Sequence, residues 1–194
     1  MTFIFIICYS DCPEVKLMSS MMREDLIRRL KDLDEEASLL FGEAERLHMV
    51  IVGGGALILM ELLPRATHDI DVLDSSRKLH SLMESYDINT RVQTYINNFP
   101  YNYEDRLVPL NDIQGKIIDF YTASLEDIVI AKLYSYRGTD HADITDPNVL
   151  HAINWERLHE LATAEDEAKQ SALNDRLYRQ FLYDFEEYER TYRP

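Results

Sequence analysis

The sequence predicts a mixed α/β fold, in which a small mixed sheet is flanked by helices and followed by a helical region. Short β-branched runs, such as residues 49–52, alternate with segments of helical periodicity, an order typical of sheets covered by helices. After Pro147 only the helical spacing of apolar residues remains. The chain has 194 residues, of which 46% are apolar, and this is enough for one domain with a buried core.

Composition restricts the partners that the protein can have. The 35 acidic and 20 basic side chains give a net charge of −15, which argues against bulk binding of DNA through its phosphates. Cys8 and Cys12 are the only cysteines, too few for a disulfide framework or a zinc site. The apolar run at residues 3–8 is too short to cross a bilayer and lacks the basic flank of a secretory signal. We therefore expect a cytoplasmic protein that binds no membrane.

The chain divides into three expected parts. Residues 1–20 differ in pattern from the rest of the chain, and they are either a short edge strand or a dispensable N-terminal extension. Residues 21–146 form the α/β domain, and residues 147–194 form a C-terminal helical appendage. Ser20 is a suitable cap for the first helix of the domain. One face of that helix carries apolar residues at steps of three and four, namely Leu26, Leu30, Leu33, Ala37 and Leu40.

The first half of the domain contains a strand, a helix and a second strand. Residues 49–52 are apolar and β-branched, as in a buried strand. A helix is expected at residues 56–63, because Pro64 cannot continue it. Residues 69–73 alternate polar and apolar side chains, which predicts the second strand.

The second half of the domain is expected to add two strands and another helix. The strands are predicted at residues 89–96 and 115–121, with a loop at 97–112 between them. Ser124 begins a helix with a plausible cap. In the helical appendage an aromatic and aliphatic stripe predicts a packing seam, and its members are Leu173, Leu177, Phe181, Phe185, Tyr188 and Tyr192.

The chemically informative residues begin with a glycine turn after the first strand. Gly53 and Gly54 let a backbone approach an anion closely, and the free N–H groups at the start of a helix point towards it. Alone, this turn matches neither a Rossmann fingerprint nor a Walker A loop. A tight turn without a ligand is the alternative interpretation.

Two carboxylates lie further along the chain, at Asp69 and Asp71. Residues i and i+2 of a strand point to the same face, so these carboxylates converge and repel each other unless a cation lies between them. Mg²⁺ is the oxygen-seeking ion that suits such a pair. A solvated acidic face would explain the Asp-x-Asp pattern alone, but the glycine turn, Arg65 and Thr67 that precede it favour a metal site.

The segment VGGGALILMELLPRATHDIDVLD, residues 52–74, resembles the signature of the nucleotidyltransferase superfamily with the DNA polymerase β-like palm. Its fuller pattern, Gly-Gly then Arg-x-Thr-x-Asp-Ile-Asp, is similar to the bacterial branch that includes the AbiE-type abortive-infection toxins. Residues 124–133 resemble that branch's helix with its catalytic lysine. Residues 140–144 resemble its following Arg-Asp-x-x-Asp-Leu element, although Thr139 stands where arginine is usual. Together the similar segments cover residues 49–145.

The resemblance implies an enzyme that moves a nucleoside monophosphate from a nucleoside triphosphate to a hydroxyl. Two Mg²⁺ ions would be held by the catalytic Asp69 and Asp71 together with the triphosphate. The nucleotide-binding residues implied by the resemblance are Gly53, Gly54, Arg65, Thr67 and Lys132. For Arg65 a solvated surface charge is the alternative.

Three further assignments depend on the resemblance. The superfamily usually supplies a third metal-binding carboxylate, for which Asp119 is the best candidate and Glu104 and Asp105 are alternatives. Lys132 lies in an otherwise apolar helical stretch, where it either reaches solvent or contacts nucleotide phosphate as a catalytic residue. Asp143 is expected to pair with Lys132 and hold it in place.

The predicted function is Mg²⁺-dependent nucleotidyl transfer. By family analogy the acceptor is a tRNA end or a hydroxyl of a protein, and the cellular role is that of a toxin or defence component with an antitoxin partner. The alternative is a degenerate palm that acts as a binding or regulatory module without catalysis, because the third carboxylate is not evident. A metal-dependent nuclease is a third candidate, but it does not explain the glycine turn.

Overall fold

A five-stranded mixed sheet forms the centre of the fold. The computed structural model of the protein describes residues 20–135 and 137–194, so the predicted extension lies, apart from Ser20, outside the described residues. Helices flank the sheet, and this arrangement confirms the mixed α/β class that the sequence predicts.

The central strand of the sheet is the first one in the chain. In sequence order the strands are β1 (Leu47–Val52), β2 (Ile70–Ser75), β3 (Ile88–Asn89), β4 (Val108–Pro109) and β5 (Ile118–Thr122). Across the sheet they are ordered β3-β2-β1-β5-β4. Strand β1 is antiparallel to β2 and parallel to β5, while β3 is parallel to β2 and β4 is antiparallel to β5. Because β1 is the central strand, its carboxyl end lies between the ends of β2 and β5.

Helices make up most of the remaining structure. They are α1 (Arg23–Phe41), α2 (Gly53–Leu59), α3 (His80–Ser85), α4 (Leu125–Leu133), α5 (Gly138–Ile144), α6 (Pro147–Ala152), α7 (Trp155–Thr163), α8 (Ala168–Ser171) and α9 (Asp175–Tyr192). Short 3-10 segments occur at Arg77–Leu79, Arg91–Asn98 and Tyr103–Arg106. Within the ranges 20–135 and 137–194, none of these helices has the length and apolar character needed to cross a membrane.

The predicted helix caps have different outcomes. Ser124 caps α4 as expected, because its hydroxyl accepts a hydrogen bond from the Asp127 backbone N–H at 3.2 Å. The Ser20 cap of α1 is wrong, since the N-cap position is Met22 and its backbone N–H donates to the Asp25 carboxylate at 3.1 Å. The apolar face of α1 is buried as predicted, except that Leu40 is exposed.

The predicted strand at 89–96 is wrong. Only Ile88 and Asn89 pair with β2, and the chain then forms the 3-10 segment Arg91–Asn98, in which no residue is fully buried. Thr94 donates its hydroxyl to the Arg91 carbonyl at 2.8 Å, a local bond that competes with sheet pairing. This segment instead packs beside β2 and covers part of a cavity next to Asp71.

The predicted aromatic seam is confirmed for its central part. Phe181, Phe185 and Tyr188 of α9 are buried, together with Tyr178. Leu173 and Leu177 are exposed, as is expected of residues before and within the first turn of α9. The buried rings stack on the body of the α/β domain, with the Tyr134 and Phe181 ring centroids 4.3 Å apart.

A buried ion pair anchors the segment that leads into β4. Arg106 is 8% exposed, and its guanidinium donates to both oxygens of Asp127 at 2.9–3.3 Å and to Glu167 at 2.9 and 3.0 Å. Asp127 lies in the first turn of α4, and Glu167 directly precedes α8. One arginine thus ties the segment to two helices.

The start of β5 depends on a carboxylate from α1. Asp34 is buried, and it accepts hydrogen bonds from the backbone N–H groups of Lys116, Ile117 and Ile118 at 2.5, 3.0 and 2.8 Å. A side chain at Gly115 would lie 2.1 Å from the Ile118 carbonyl oxygen. The turn before β5 therefore requires both this glycine and the carboxylate.

We expect Asp34→Ala to lower the free energy of unfolding by about 2–4 kcal/mol, because it leaves buried backbone donors without a partner. Urea denaturation measures this change. Asp32→Ala removes an exposed carboxylate from the same helix and should stay within about 0.5 kcal/mol of the wild type. Equal effects of the two substitutions would contradict the anchoring role of Asp34.

Candidate active site

The glycine turn leaves room for two side chains that approach its backbone. Gly53 has a φ of +69°, and a Cβ atom there would lie 2.7 Å from a carboxylate oxygen of Asp71. A Cβ atom on Gly54 would lie 2.7 Å from a terminal nitrogen of Arg65. Glycine is thus required at position 53 by its positive φ, while a side chain at position 54 would displace the Arg65 guanidinium. The turn brings the end of β1 into contact with Asp71 and Arg65.

The acidic pair lies at the beginning of β2, beside the end of β1. Asp71 is paired in register with Val52, and Asp69 directly precedes the strand. The Asn89 side-chain amide donates to Asp71 Oδ1 at 2.8 Å, and the Thr67 hydroxyl donates to Asp69 Oδ1 at 3.3 Å. Within the described part of the chain, neither carboxylate forms an ion pair.

The acidic pair carries a negative charge that the protein does not neutralise. Burial, together with the charge of Asp69, raises the pKa of Asp71 from 3.8 to about 6. The Asn89 hydrogen bond and the charges of Arg137 and Lys132 act in the opposite direction but do not cancel this shift. Ionised Asp71 is therefore an unfavourable state that a bound cation would relieve.

Next to the acidic pair lies a buried charge network centred on Lys132. Its ammonium donates to Asp140 at 2.6 Å and to Asp143 at 2.9 Å, and all three side chains are less than a tenth exposed. Arg65 binds Asp143 through both Nε and Nη2, at 2.7–2.9 Å. Arg137 donates from Nε to Asp140 at 2.7 Å. The expected pairing of Asp143 with Lys132 is thus present in the structure.

The network determines the ionisation of its carboxylates. Burial alone would raise the pKa of Asp140, but hydrogen bonds from Lys132, Ser135 and Arg137 outweigh it and lower that pKa. The network contains three cations and two carboxylates, so it keeps one positive charge beside the acidic pair. The sequence allowed two interpretations of Arg65, a phosphate ligand or a solvated surface charge. In the structure its guanidinium is bound to Asp143.

A cavity of about 280 Å³ joins the two charged groups. Its lining includes Gly53 and Asp71 from the strand ends, and Lys132 and Arg137 from the network. The rest is mainly apolar and aromatic, contributed by Val92, Tyr95, Phe99, Ile128, Ala131 and Tyr134. The cavity thus offers carboxylates, cations and an apolar surface to one small ligand.

The structure does not bring the expected third carboxylate to this cavity. Asp119 is paired in register with His48 of β1, whereas Asp71 is paired with Val52. His48 and Val52 are four residues apart, which is about 13 Å along β1. Asp119 forms an ion pair with Arg46 instead.

The two alternatives for the third carboxylate are also placed elsewhere. Glu104 and Asp105 are exposed on a 3-10 turn and line a different cavity. Among residues 20–135 and 137–194, no group of three or more acidic, histidine or cysteine side chains is arranged to hold one metal ion.

Three residues that contact the site were not singled out from the sequence. Asn89 reaches Asp71 only because β3 pairs with β2, and no sequence signal indicates that pairing. Ser135 donates its hydroxyl to Asp140 at 2.6 Å. Arg137 is five residues beyond Lys132, and a second cation so close to the acidic segment 140–144 is the signal that would have identified it.

The mixed sheet, the glycine turn and the Asp-x-Asp pair define a nucleotidyltransferase-like α+β fold. The chain matches the family described as nucleotidyltransferases of unknown function (DUF6036) over residues 28–193, and it belongs to this family. This match confirms the superfamily and includes the C-terminal helices; the AbiE-type branch stays a prediction. No curated protein and no solved structure matches the chain significantly.

We expect Lys132→Met to lower the free energy of unfolding by about 3–5 kcal/mol, because it leaves two buried carboxylates without their shared cation. Chemical denaturation at neutral pH measures this loss. Lys78→Met is the matched control, since Lys78 pairs with Glu45 at an exposed site and such pairs contribute at most about 1 kcal/mol. A small and equal effect of both substitutions would show that the network does not stabilise the fold.

We expect Asp71→Asn to stabilise the metal-free protein at neutral pH but not in acid. The unfolded carboxyl ionises near 3.8 and the folded one near 6, so the wild type loses stability as the pH rises through this window. Asparagine remains neutral and can still accept the Asn89 hydrogen bond. Thermal denaturation with a chelator should show a difference that grows between about pH 4 and about pH 6 and levels off at higher pH. A difference that is constant with pH would contradict the raised pKa.

Proposed function

We propose that the protein is a Mg²⁺-dependent nucleotidyltransferase that uses a nucleoside triphosphate as donor. Membership of the family supports nucleotidyl transfer in general. The observation that carries the finer proposal is the cavity in which Asp71, Lys132 and Arg137 line one space. A magnesium–triphosphate complex needs carboxylates for the metal and cations for the phosphates, and this cavity presents both.

The donor set of the acidic pair fits Mg²⁺. Asp69 and Asp71 supply hard carboxylate oxygens that no ion pair within the described ranges neutralises. Mg²⁺ in phosphoryl-transfer sites is usually held by one or two carboxylates, and substrate phosphates and water complete its octahedron. Two carboxylates are therefore enough to hold Mg²⁺ ions that bind together with the nucleotide, and we expect the pair of Mg²⁺ ions to bind in this way. When bound, the metal supplies charge neutralisation for the phosphates and activation of the attacking hydroxyl.

The protein's own residues bind and orient the donor nucleotide. We assign phosphate binding to Lys132 and to the backbone N–H groups of Gly53 and Gly54, and support of the turn to Arg65. Thr67 orients Asp69 through its hydroxyl. Asp143 holds both Lys132 and Arg65 in place.

The transfer step exchanges one phosphorus–oxygen bond for another. The acceptor hydroxyl oxygen forms a bond to the α-phosphorus as the bond to the bridging oxygen breaks. Pyrophosphate leaves with that electron pair, and the hydroxyl proton passes to solvent. The apolar part of the cavity is suited to the nucleoside, and its exclusion of water would favour transfer over hydrolysis.

We propose a hydroxyl of RNA, such as a tRNA end, or of a protein as the acceptor. The resemblance to AbiE-type toxins supports this, together with a role in defence and an antitoxin partner. The net charge of −15 argues against extended phosphate contacts with a large RNA, so contact with RNA would be local. A cytoplasmic location stays a prediction of the sequence.

A second candidate function is nucleotide binding without transfer. It is favoured by the position of Asp119, because the site then lacks the third carboxylate usual in the superfamily. Binding of a nucleoside triphosphate with Mg²⁺ stabilises the native state by mass action in either case. A thermal shift with no transfer to any acceptor would identify the protein as a binding module.

We expect Asp69→Asn and Asp71→Asn each to reduce transfer by at least about 100-fold, because each removes a metal ligand from the site. The measurement is incubation with each labelled nucleoside triphosphate and Mg²⁺, with total RNA and with protein extract, followed by detection of labelled acceptor. Asp74→Asn is the matched control, since Asp74 lies on the same strand and pairs with His48.

The same assay decides the role of Asp119. From its distance and its ion pair with Arg46, we expect Asp119→Asn to keep transfer within about twofold of the wild type. A loss equal to that of Asp71→Asn would restore Asp119 to the metal site. Full activity in both Asp69→Asn and Asp71→Asn would contradict the proposed function.

A further inference from the structure

Arg137 presents unused hydrogen-bond donors next to the charge network. It immediately precedes α5, and its side chain is 76% exposed. Its Nε donates to Asp140 at 2.7 Å and to the Ser135 hydroxyl at 3.3 Å. The two terminal nitrogens of the guanidinium form no hydrogen bond with any residue in the described ranges. One edge of the guanidinium is thus anchored while the other is available for a ligand.

Arg137 lies at the rim of the candidate active site. Arg137 lines the same cavity as Asp71, Gly53 and Lys132. Its charge also lowers the pKa of Asp71 against the larger effect of burial, which is consistent with a short distance between the two side chains.

Lys132 differs from Arg137 in how its donors are used. Two of the three ammonium donors of Lys132 are bound to Asp140 and Asp143, and its side chain is 7% exposed. Lys132 is held rigidly by carboxylates and can offer one donor at most to a ligand. Arg137 can offer a planar pair of terminal groups, the geometry that binds two oxygens of a phosphate at once.

We propose that Arg137, which is hydrogen-bonded through Nε to Asp140 and Ser135, binds the β- and γ-phosphates of the donor nucleotide. This inference rests on the proposed function and adds a phosphate ligand to it. The terminal phosphates carry most of the negative charge of a triphosphate, so they are the groups that an exposed cation binds most strongly. These phosphates leave as pyrophosphate, and Arg137 would neutralise the charge that builds up on them.

Equilibrium binding of fluorescent nucleotides to the full chain tests the inference without measuring transfer. We expect Arg137→Gln to weaken binding of the triphosphate about tenfold or more, and to leave binding of the corresponding monophosphate within about twofold. Unlabelled pyrophosphate should compete with the triphosphate on the wild type and much less on Arg137→Gln. Arg137→Lys should recover only part of the affinity, because an ammonium cannot bind two phosphate oxygens in the same planar geometry.

Arg77→Gln is the matched control for the change in net charge. Arg77 is exposed and lies beyond the far end of β2 from Asp71, so its loss should leave both affinities unchanged. Equal triphosphate affinities of Arg137→Gln and Arg77→Gln would overturn the inference and leave the proposed function intact. A parallel loss of triphosphate and monophosphate binding in Arg137→Gln would also overturn it. Absence of triphosphate binding to the wild type would overturn the proposed function as well.

Discussion

The interaction on which the rest of the site depends is the contact of Asp143 with two cations, Lys132 and Arg65. It joins the segment before β2 to α4 and α5, which are distant in sequence. Arg65 fills the space beside Gly54 where a side chain would otherwise lie, so the conformation of the glycine turn is coupled to this contact. Loss of Lys132 would take the shared cation away from two buried carboxylates, Asp140 and Asp143, which is a strongly destabilising kind of change.

The site consists of an acidic pair and a network with an excess of positive charge, and Asp71 of the pair lines one cavity with Lys132 and Arg137 of the network. Asp69 and Asp71 are not neutralised within the described ranges, while the neighbouring network keeps an excess of positive charge. This separation has an energetic consequence, because ionised Asp71 is disfavoured in the free protein. A ligand that carries both a metal cation and phosphate anions relieves both clusters, so its binding would stabilise the fold as well as fill the site.

Several predictions from sequence that depend only on neighbours in the chain are confirmed, although the local cap expected at Ser20 is wrong. The cap of α4 at Ser124, the strand before the glycine turn and the buried face of α1 arise from local patterns, and the structure contains them. The prediction of a strand at 89–96 was wrong. The polar and partly apolar residues of this run do not show whether a neighbouring strand is available for pairing. The expected pairing of Lys132 with Asp143 came from a resemblance rather than from spacing.

By itself the sequence predicted the fold class and the acidic pair, because glycine conformation, strand alternation and the short spacing of Asp69 and Asp71 are local properties, and it indicated the superfamily through a resemblance that the family match confirms. Only the tertiary structure decided which distant residues meet that pair. The register of β5 against β1 placed Asp119 about four residues from the level of Asp71, and the pairing of β3 brought Asn89 to it. Strand register and helix docking are set by burial of the whole core rather than by any single segment, so these contacts became visible only in the folded chain.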